Sequence, residues 1–172
     1  FTNYQDAEIG IKAIQLLYRL NYEVLITDHP ESGRAALSKG LLTIARKHAN
    51  ANVQRFHPLI SAERPLIGVE PSAILSFRDE YPRLVSDALK SQARELAPNC
   101  VLIDEFLAAE VRAGRIQAEQ FESTERQLHF HAHCHQKALS DPTDTLLLLS
   151  LPKNYHVSHI PSGCCGMAGS FG

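Results

Sequence analysis

"NYHVSHIPSGCCG" (154–166) ends in two adjacent cysteines set between Gly163 and Gly166, and an earlier stretch shares its outline without the thiols. "NYEVLITDHPESG" (21–33) aligns with it at an offset of 133 residues (154 against 21). Asn-Tyr, the valine and the final glycine are identical. Each stretch follows a leucine-rich segment of helical period. In this alignment Glu31 and Ser32 stand where Cys164 and Cys165 stand, and Cys134 falls opposite Phe1. The reading is one helix–strand–turn unit present twice, of which only the second copy carries cysteines.

Working outward, helix and strand signals alternate. Asp6 can cap a helix whose apolar face is Ile9, Ala13, Leu16, Leu17 and Leu20. "YEVLIT" (22–27) reads as a buried strand and "HPESG" (29–33) as a turn. After Gly33 the spacing predicts a long helix with Leu37, Leu41, Leu42 and Ala45 on one side. "PLIGVE" (65–70) predicts a short strand, and "EPSAILSFRDEYP" (70–82) a helix with proline in its first turn. Further helices follow at 83–96 and 102–113. "RQLHFHAH" (126–133) is a strand by alternation. Asp141 then caps a helix that opens on Pro142, and "YHVSHI" (155–160) is the last strand. Strands separated by helices pair in parallel through crossovers, so the fold class is α/β, with two similar Rossmann-like repeats in a pseudo-twofold relation. The first repeat, with its connecting helices, is assigned to 1–125 and the start of the second to 126–172.

Composition narrows the class. The 172 residues are 44% apolar with a formal net charge of −2, as in an ordinary globular protein. Lys and Arg are scattered rather than gathered in a basic stripe, which argues against a nucleic-acid partner. The longest apolar run, "LLLLSL" (146–151), is far short of the roughly 20 residues of a transmembrane segment. Four cysteines are too few for a disulfide scaffold, and three fall near the end of the chain. A reducing compartment with a local metal or redox site fits that distribution.

Adjacent residues on a strand point to opposite faces, so Cys164 and Cys165 serve one site only if the backbone leaves strand geometry. The flanking glycines permit that. Thiolates are soft ligands for iron–sulfur clusters and zinc. Cys134, just past a strand in "HAHCHQK", offers a third thiol, whereas Cys100 reads as a small buried apolar residue. His129, His131, His133 and His135 alternate, and on an extended strand they would share one face. They could ligate zinc directly or hydrogen-bond around a cluster; the second is the expectation for His133 and His135. His156 and His159 read as ordinary strand positions. Asp79, Glu80, Asp104 and Glu105 read as helix surface, and Lys39 as solvated. "SGRAALSKG" (32–40) lacks the spacing of a dinucleotide loop, and no G-x-S-x-G elbow occurs.

"HAHCHQKAL" (131–139) and "SGCCGMAGSFG" (162–172) resemble the second cysteine-rich (CCG) repeat of iron–sulfur oxidoreductases. That family includes the iron–sulfur component of glycolate oxidase, the electron-transfer component of anaerobic glycerol-3-phosphate dehydrogenase and a component of heterodisulfide reductase. "SGRAALSKGLL" (32–42) and "GVEPSAILSFRDEYP" (68–82) resemble more narrowly the C-terminal part of fused FAD-linked oxidases of the D-lactate or D-2-hydroxyglutarate dehydrogenase kind. The resemblance implies that Cys134, Cys164 and Cys165 are cluster ligands, with His133, His135, Gly163 and Gly166 around them. The C-x-x-C that completes the family's set would fall beyond Gly172, so the chain is expected to be a fragment whose cluster is incomplete. The first repeat departs from the pattern: Glu31 and Ser32 replace the pair, and Ala73 stands where a C-x-x-C cysteine would be.

The function implied is electron transfer. A 2-hydroxy acid such as glycolate or D-lactate would be oxidised at FAD on another domain or subunit, and the cluster would pass electrons to a downstream acceptor. The location implied is cytoplasmic or peripheral to the inner face of the membrane. Two other readings stay open: thiol/disulfide chemistry of the heterodisulfide reductase kind, and a zinc-binding or metal-free interaction module.

Overall fold

Two short parallel strand pairs, each with helices between its strands, organise the chain in the computed structural model, which describes residues 7–166. The expected cap Asp6 and the tail 167–172 lie outside the described residues. The chain divides into two units, Phe1–Leu102 and Ile103–Gly172. Parallel pairing cannot be closed by a hairpin, so each pair needs a helical crossover. The architecture is α/β, as the alternation of elements predicts.

The first unit contains α1 (Ala7–Arg19), α2 (Arg34–Ser38), α3 (Leu42–Phe56), β1 (Leu66–Gly68), α4 (Pro71–Arg78), α5 (Tyr81–Leu84), α6 (Lys90–Leu96) and β2 (Cys100–Leu102). The α3 stripe Ala45, Ala49, Val53 and Phe56 recurs at helical spacing and is buried. Its Phe56 meets Phe77, ring centroids 6.0 Å apart, and Phe77 in turn meets Tyr81 at 4.2 Å; Leu75 of α4 is buried as well. Each fully buried Val or Phe of this kind stabilises by about 1.5–3 kcal/mol. Glu70 caps α4 by accepting from the Ser72 and Ala73 amides, and Pro71 fills the first turn. The strands β1 and β2 pair from Leu66↔Cys100 to Gly68↔Leu102.

The second unit contains α7 (Ile103–Arg112), β3 (Arg126–Phe130), α8 (Cys134–Leu139), α9 (Pro142–Leu149) and β4 (Tyr155–His159). The strands β3 and β4 pair from Arg126↔Tyr155 to Phe130↔His159. As its sequence predicts, Asp141 caps α9 by accepting from the Thr143 amide. A buried polar knot ties three helices: Gln136 Nε2 donates to Asp104 Oδ2 at 2.6 Å and to Thr145 Oγ1 at 2.7 Å.

Several expectations are corrected. The helix expected after Gly33 is two, because Gly40 at φ 71° takes the left-handed conformation that ends a helix. The strand β2 was unforeseen. Asp104 and Glu105 are not idle surface: Asp104 anchors Gln136 and Thr145, and Glu105 accepts from Ser140. Glu80 pairs with Arg34.

The largest correction concerns "YEVLIT": residues 22–27 form no strand. A strand is defined by its ladder, and this stretch belongs to neither of the two ladders among the described residues. Its side chains nonetheless repeat the burial order of β4 position by position, half-buried at Tyr22 and Val24 and exposed at Glu23, Leu25 and Ile26. The backbone agrees. Asn21 (φ 66°) and Asn154 (φ 67°) are the two non-glycine residues with positive φ among those described, and they stand 133 residues apart. Gly33 (φ 75°) and Gly166 (φ 76°) stand at the same offset.

Candidate metal centre

The centre forms where the turn after β3 meets the turn after β4. The ladder stops at Phe130, whose carbonyl accepts from the Ile160 amide at 2.8 Å. Only His129 of the four alternating histidines therefore lies in β3, where Nδ1 sits 2.6 Å from Ser158 Oγ. The single four-histidine face expected from the alternation does not exist, because α8 begins before the row is complete. His133 is the cap of α8, its Nδ1 accepting from the His135 amide at 3.2 Å, and Cys134 opens the helix.

The result is a compact donor group. One ligand atom each from His133, Cys134 and His135 lies within 4.8 Å of the others. Cys134 Sγ is 3.8 Å from His135 Nδ1, and the two imidazoles stack with centroids 5.4 Å apart. Cys134 is half-buried, whereas Cys164 and Cys165 are exposed on the loop that follows β4.

That loop is held at its backbone. Lys137 Nζ, one turn into α8, donates to the Ser162 carbonyl at 2.8 Å and to the Gly163 carbonyl at 2.6 Å. His131 Nε2 donates to the same Gly163 oxygen at 3.0 Å. Neither Lys137 nor His131 stood out as a positioning group in the sequence, since a carbonyl partner leaves no residue pattern. Gly166, left-handed, turns its N–H onto Cys164 Sγ at 3.4 Å. This hydrogen bond is the main reason the Cys164 thiol sits below its ordinary pKa. Desolvation opposes it, and the Cys134 and Cys165 thiols and the Lys137 charge lower it further. Among the described residues the compact donor group contains Cys134 alone of the three expected thiols, while Cys164, beside Cys134 and Cys165, leans toward the thiolate that metals bind.

Cys100 lies elsewhere, fully buried at the start of β2, its thiol donating to the Leu96 carbonyl at 3.4 Å. Burial pushes its pKa up to about 12, opposed by the nearby Arg78 charge. It has the environment of an inert core residue. In the first unit, the loop that aligns with the cysteine loop is clamped by neutral groups instead. Asn52 Nδ2 donates to the Glu31 carbonyl at 2.9 Å and Tyr81 Oη to the Ser32 carbonyl at 2.7 Å. An open depression beside it is lined by Asp28, His29, Pro30 and Arg55. No thiol or donor cluster of the second kind occurs there among the described residues.

The donor chemistry of the second unit fits a soft or borderline metal. It comprises the His133, Cys134 and His135 donors at the start of α8 and, on the nearby loop that Lys137 holds, Cys164, which is predisposed to ionise, and Cys165. No helix among the described residues is long and apolar enough to cross a membrane.

Comparison with known proteins places dehydrogenases around the whole chain. It is 27% identical over 173 residues to D-2-hydroxyglutarate dehydrogenase of Escherichia coli (strain K12), covering all of this chain and 16% of that protein. D-2-hydroxyglutarate dehydrogenase of Haemophilus influenzae is 25% identical, with 17% of its length covered. One component chain of the anaerobic glycerol-3-phosphate dehydrogenase of Escherichia coli (strain K12) is 24% identical over 174 residues, with 42% of its length covered. The chain therefore spans less than half the length of the curated relatives it matches. No protein-family profile matches it. No solved structure matches it significantly.

Proposed function

We propose that this chain is an electron-transfer part of a larger FAD-dependent 2-hydroxy-acid dehydrogenase, with an iron–sulfur site on Cys134, Cys164 and Cys165. The observation that carries this reading is the cysteine loop itself, drawn toward Cys134 by Lys137 and His131 and leaning toward thiolate at Cys164. The dehydrogenase relatives supply the reaction class. A cluster bound there would accept and release single electrons between the flavin and a downstream acceptor. The chain's own part is to hold the thiolates ionised and oriented. His133 and His135 place imidazoles beside Cys134, where they would tune the site, and Lys137 offsets negative charge. Three thiols leave at least one position of a four-cysteine site to another donor.

The finer fold reading belongs here too: the two units are copies of one Rossmann-like repeat, and only the second keeps its cysteines. The shared offset of Asn21/Asn154 and Gly33/Gly166, together with the matched burial of 22–26 and 155–159, supports it.

The test is iron and acid-labile sulfide analysis of the full-length protein prepared anaerobically, with spectra recorded before and after adding a 2-hydroxy acid. Stoichiometric iron and sulfide, reduced by substrate, are expected. Metal-free protein that turns over at the same rate would overturn the reading. A second reading has its own observation, the tight His133–Cys134–His135 group, which suits a single zinc ion with Cys164 as a fourth ligand. Zinc without sulfide in the same assay would select it.

A further inference from the structure

Gln136 is the one fully buried residue of α8, 4% exposed, in a helix of only 6 residues. A helix so short has little stability of its own and takes its orientation from what it packs against. Here the group that faces the core is a carboxamide rather than an apolar side chain. Its nitrogen donates to Asp104 Oδ2 at 2.6 Å and to Thr145 Oγ1 at 2.7 Å, and the Thr145 hydroxyl donates onward to Asp104 Oδ2. The carboxylate is itself held, because the Glu105 amide donates to Asp104 Oδ1 at 3.0 Å. Further along the same face of α8, Ser140 Oγ donates to Glu105 Oε1 at 2.6 Å. Consecutive acids in the first turn of α7 thus grip α8 at two points.

Apolar burial is non-directional, so a leucine at position 136 would keep α8 near the core and leave its rotation open. Hydrogen bonds to fixed acceptors set that rotation. At about 100° per residue, Cys134 lies roughly 160° round the helix from Gln136, and Lys137 only about 60° from Cys134. Turning Gln136 inward therefore turns Cys134 and Lys137 outward together. They meet the cysteine loop, whose Ser162 and Gly163 carbonyls Lys137 holds.

We infer that Asp104 and Gln136 are positioning residues of the thiol site: their hydrogen bond fixes the rotation of α8, and with it the approach of Cys134 to the Cys164–Cys165 loop. This rests on the reading above that the three cysteines serve one site, but not on which metal that site takes. Both residues act through α8.

The bond can be removed or reversed with little change of shape, which makes the role testable. Gln136→Leu keeps the bulk and burial and removes the direction, and Thr145 still satisfies Asp104. Gln136→Glu combined with Asp104→Asn restores the pair in the opposite sense. The amide at 104 then donates to the carboxylate at 136, its oxygen keeps the Glu105 amide, and the Thr145 hydroxyl turns to residue 136. Ser140→Ala is the control, since it cuts the other link between α7 and α8 while Gln136 still sets the rotation.

The readout is the rate at which Cys134 forms a disulfide with Cys164 or Cys165, followed by peptide mass spectrometry. Full-length protein is stripped of metal with a chelator and treated with diamide, which accepts the electrons and protons that the paired thiols give up. Gln136→Leu should slow this cross-link at least about tenfold, as small misplacements do in intramolecular reactions, and the reversed pair should lie within about threefold of the parent. Ser140→Ala should lower the denaturation midpoint and leave the rate unchanged. A Gln136→Leu rate equal to that of the parent would overturn the inference. So would a folded reversed pair as slow as Gln136→Leu, or equal slowing in Ser140→Ala, which would make the polar knot a brace and nothing more. A parent that forms no such cross-link would overturn the shared site as well, and iron analysis reports on the metal separately.

Discussion

Lys137 Nζ lies 2.6 Å from the Gly163 carbonyl oxygen, so an ammonium on α8 fixes the peptide directly ahead of Cys164. Helix and loop come from opposite ends of a βαβ unit, and this contact makes them one site. Lys137→Met should leave the β3–β4 ladder intact, since the ladder's hydrogen bonds do not involve it. It should weaken metal binding by about 10–100-fold, the usual effect of losing a group that orients ligands. Lys137→Arg should restore most of the affinity by donating to the same carbonyls. Titration with cobalt(II), followed by thiolate charge-transfer absorption, reads both. Equal affinity in the Met variant and the parent would remove Lys137 from the site.

Gly68 makes a different prediction, about fold. A Cβ built there would stand 2.4 Å from Ile74 Cβ, a distance real side chains do not tolerate. The strand β1 and the helix α4 approach this closely because residue 68 has no side chain. Gly68→Ala should destabilise by about 1–3 kcal/mol through overpacking, and adding Ile74→Ala should not rescue it, because alanine keeps the Cβ that makes the closest contact. Urea denaturation of the two variants beside the parent measures it. A Gly68→Ala midpoint equal to that of the parent would show that α4 shifts freely.

Cys100 sets a pH dependence whose sign can be worked out. Its thiol titrates near 12 when folded, against about 8.5 for a free cysteine. The folded state therefore holds its proton while the unfolded chain has lost it. Stability is full below about pH 8.5 and declines as pH rises toward 12, by at most about 1.4 kcal/mol per pH unit for this group. Cys100→Ala removes that decline, at the cost of a small cavity beside Leu96. Denaturation midpoints between pH 8 and pH 10 should converge for the two proteins. Parallel curves would show that Cys100 does not titrate as its burial requires.

Much of this was legible in the sequence because it rests on short-range chemistry. Asp141 with Pro142 is a local cap and Pro71 marks the first turn of α4, each read from neighbouring residues alone. The apolar face expected from Leu37, Leu41, Leu42 and Ala45 is not the one α3 buries, since Leu41 and Leu42 are exposed and the buried stripe runs from Ala45 to Phe56. The strand β2 was missed because three residues after Pro98 carry no alternation to read. The histidine row misled for the opposite reason. Its alternation is real, but the ladder ends at Phe130 and the chain turns into α8. Residues 22–27 read as a strand from their own composition, whereas strand formation depends on a partner that composition does not contain. Of the site, the three cysteines were visible as a pattern. The groups that gather them, Lys137 and His131, act on peptide oxygens that look alike at every position.

The choice between cluster and single metal ion turns on Cys164 and His135. Both flank Cys134, His135 at 3.8 Å through Nδ1 and Cys164 through its side chain. If the site holds a cluster on thiolates, Cys164→Ser should remove most of the iron and sulfide. His135→Ala should keep iron at full stoichiometry and shift the reduction potential, since the imidazole then acts on the sulfur and not on the metal. If the site holds one zinc ion on His133, Cys134 and His135, the order reverses. His135→Ala should then lose the metal, while Cys164→Ser retains it more weakly through a water in the fourth position. Metal analysis of the two full-length variants beside the parent, with redox titration of any that contain iron, separates these outcomes. Full metal content in both variants would exclude both ligand sets together.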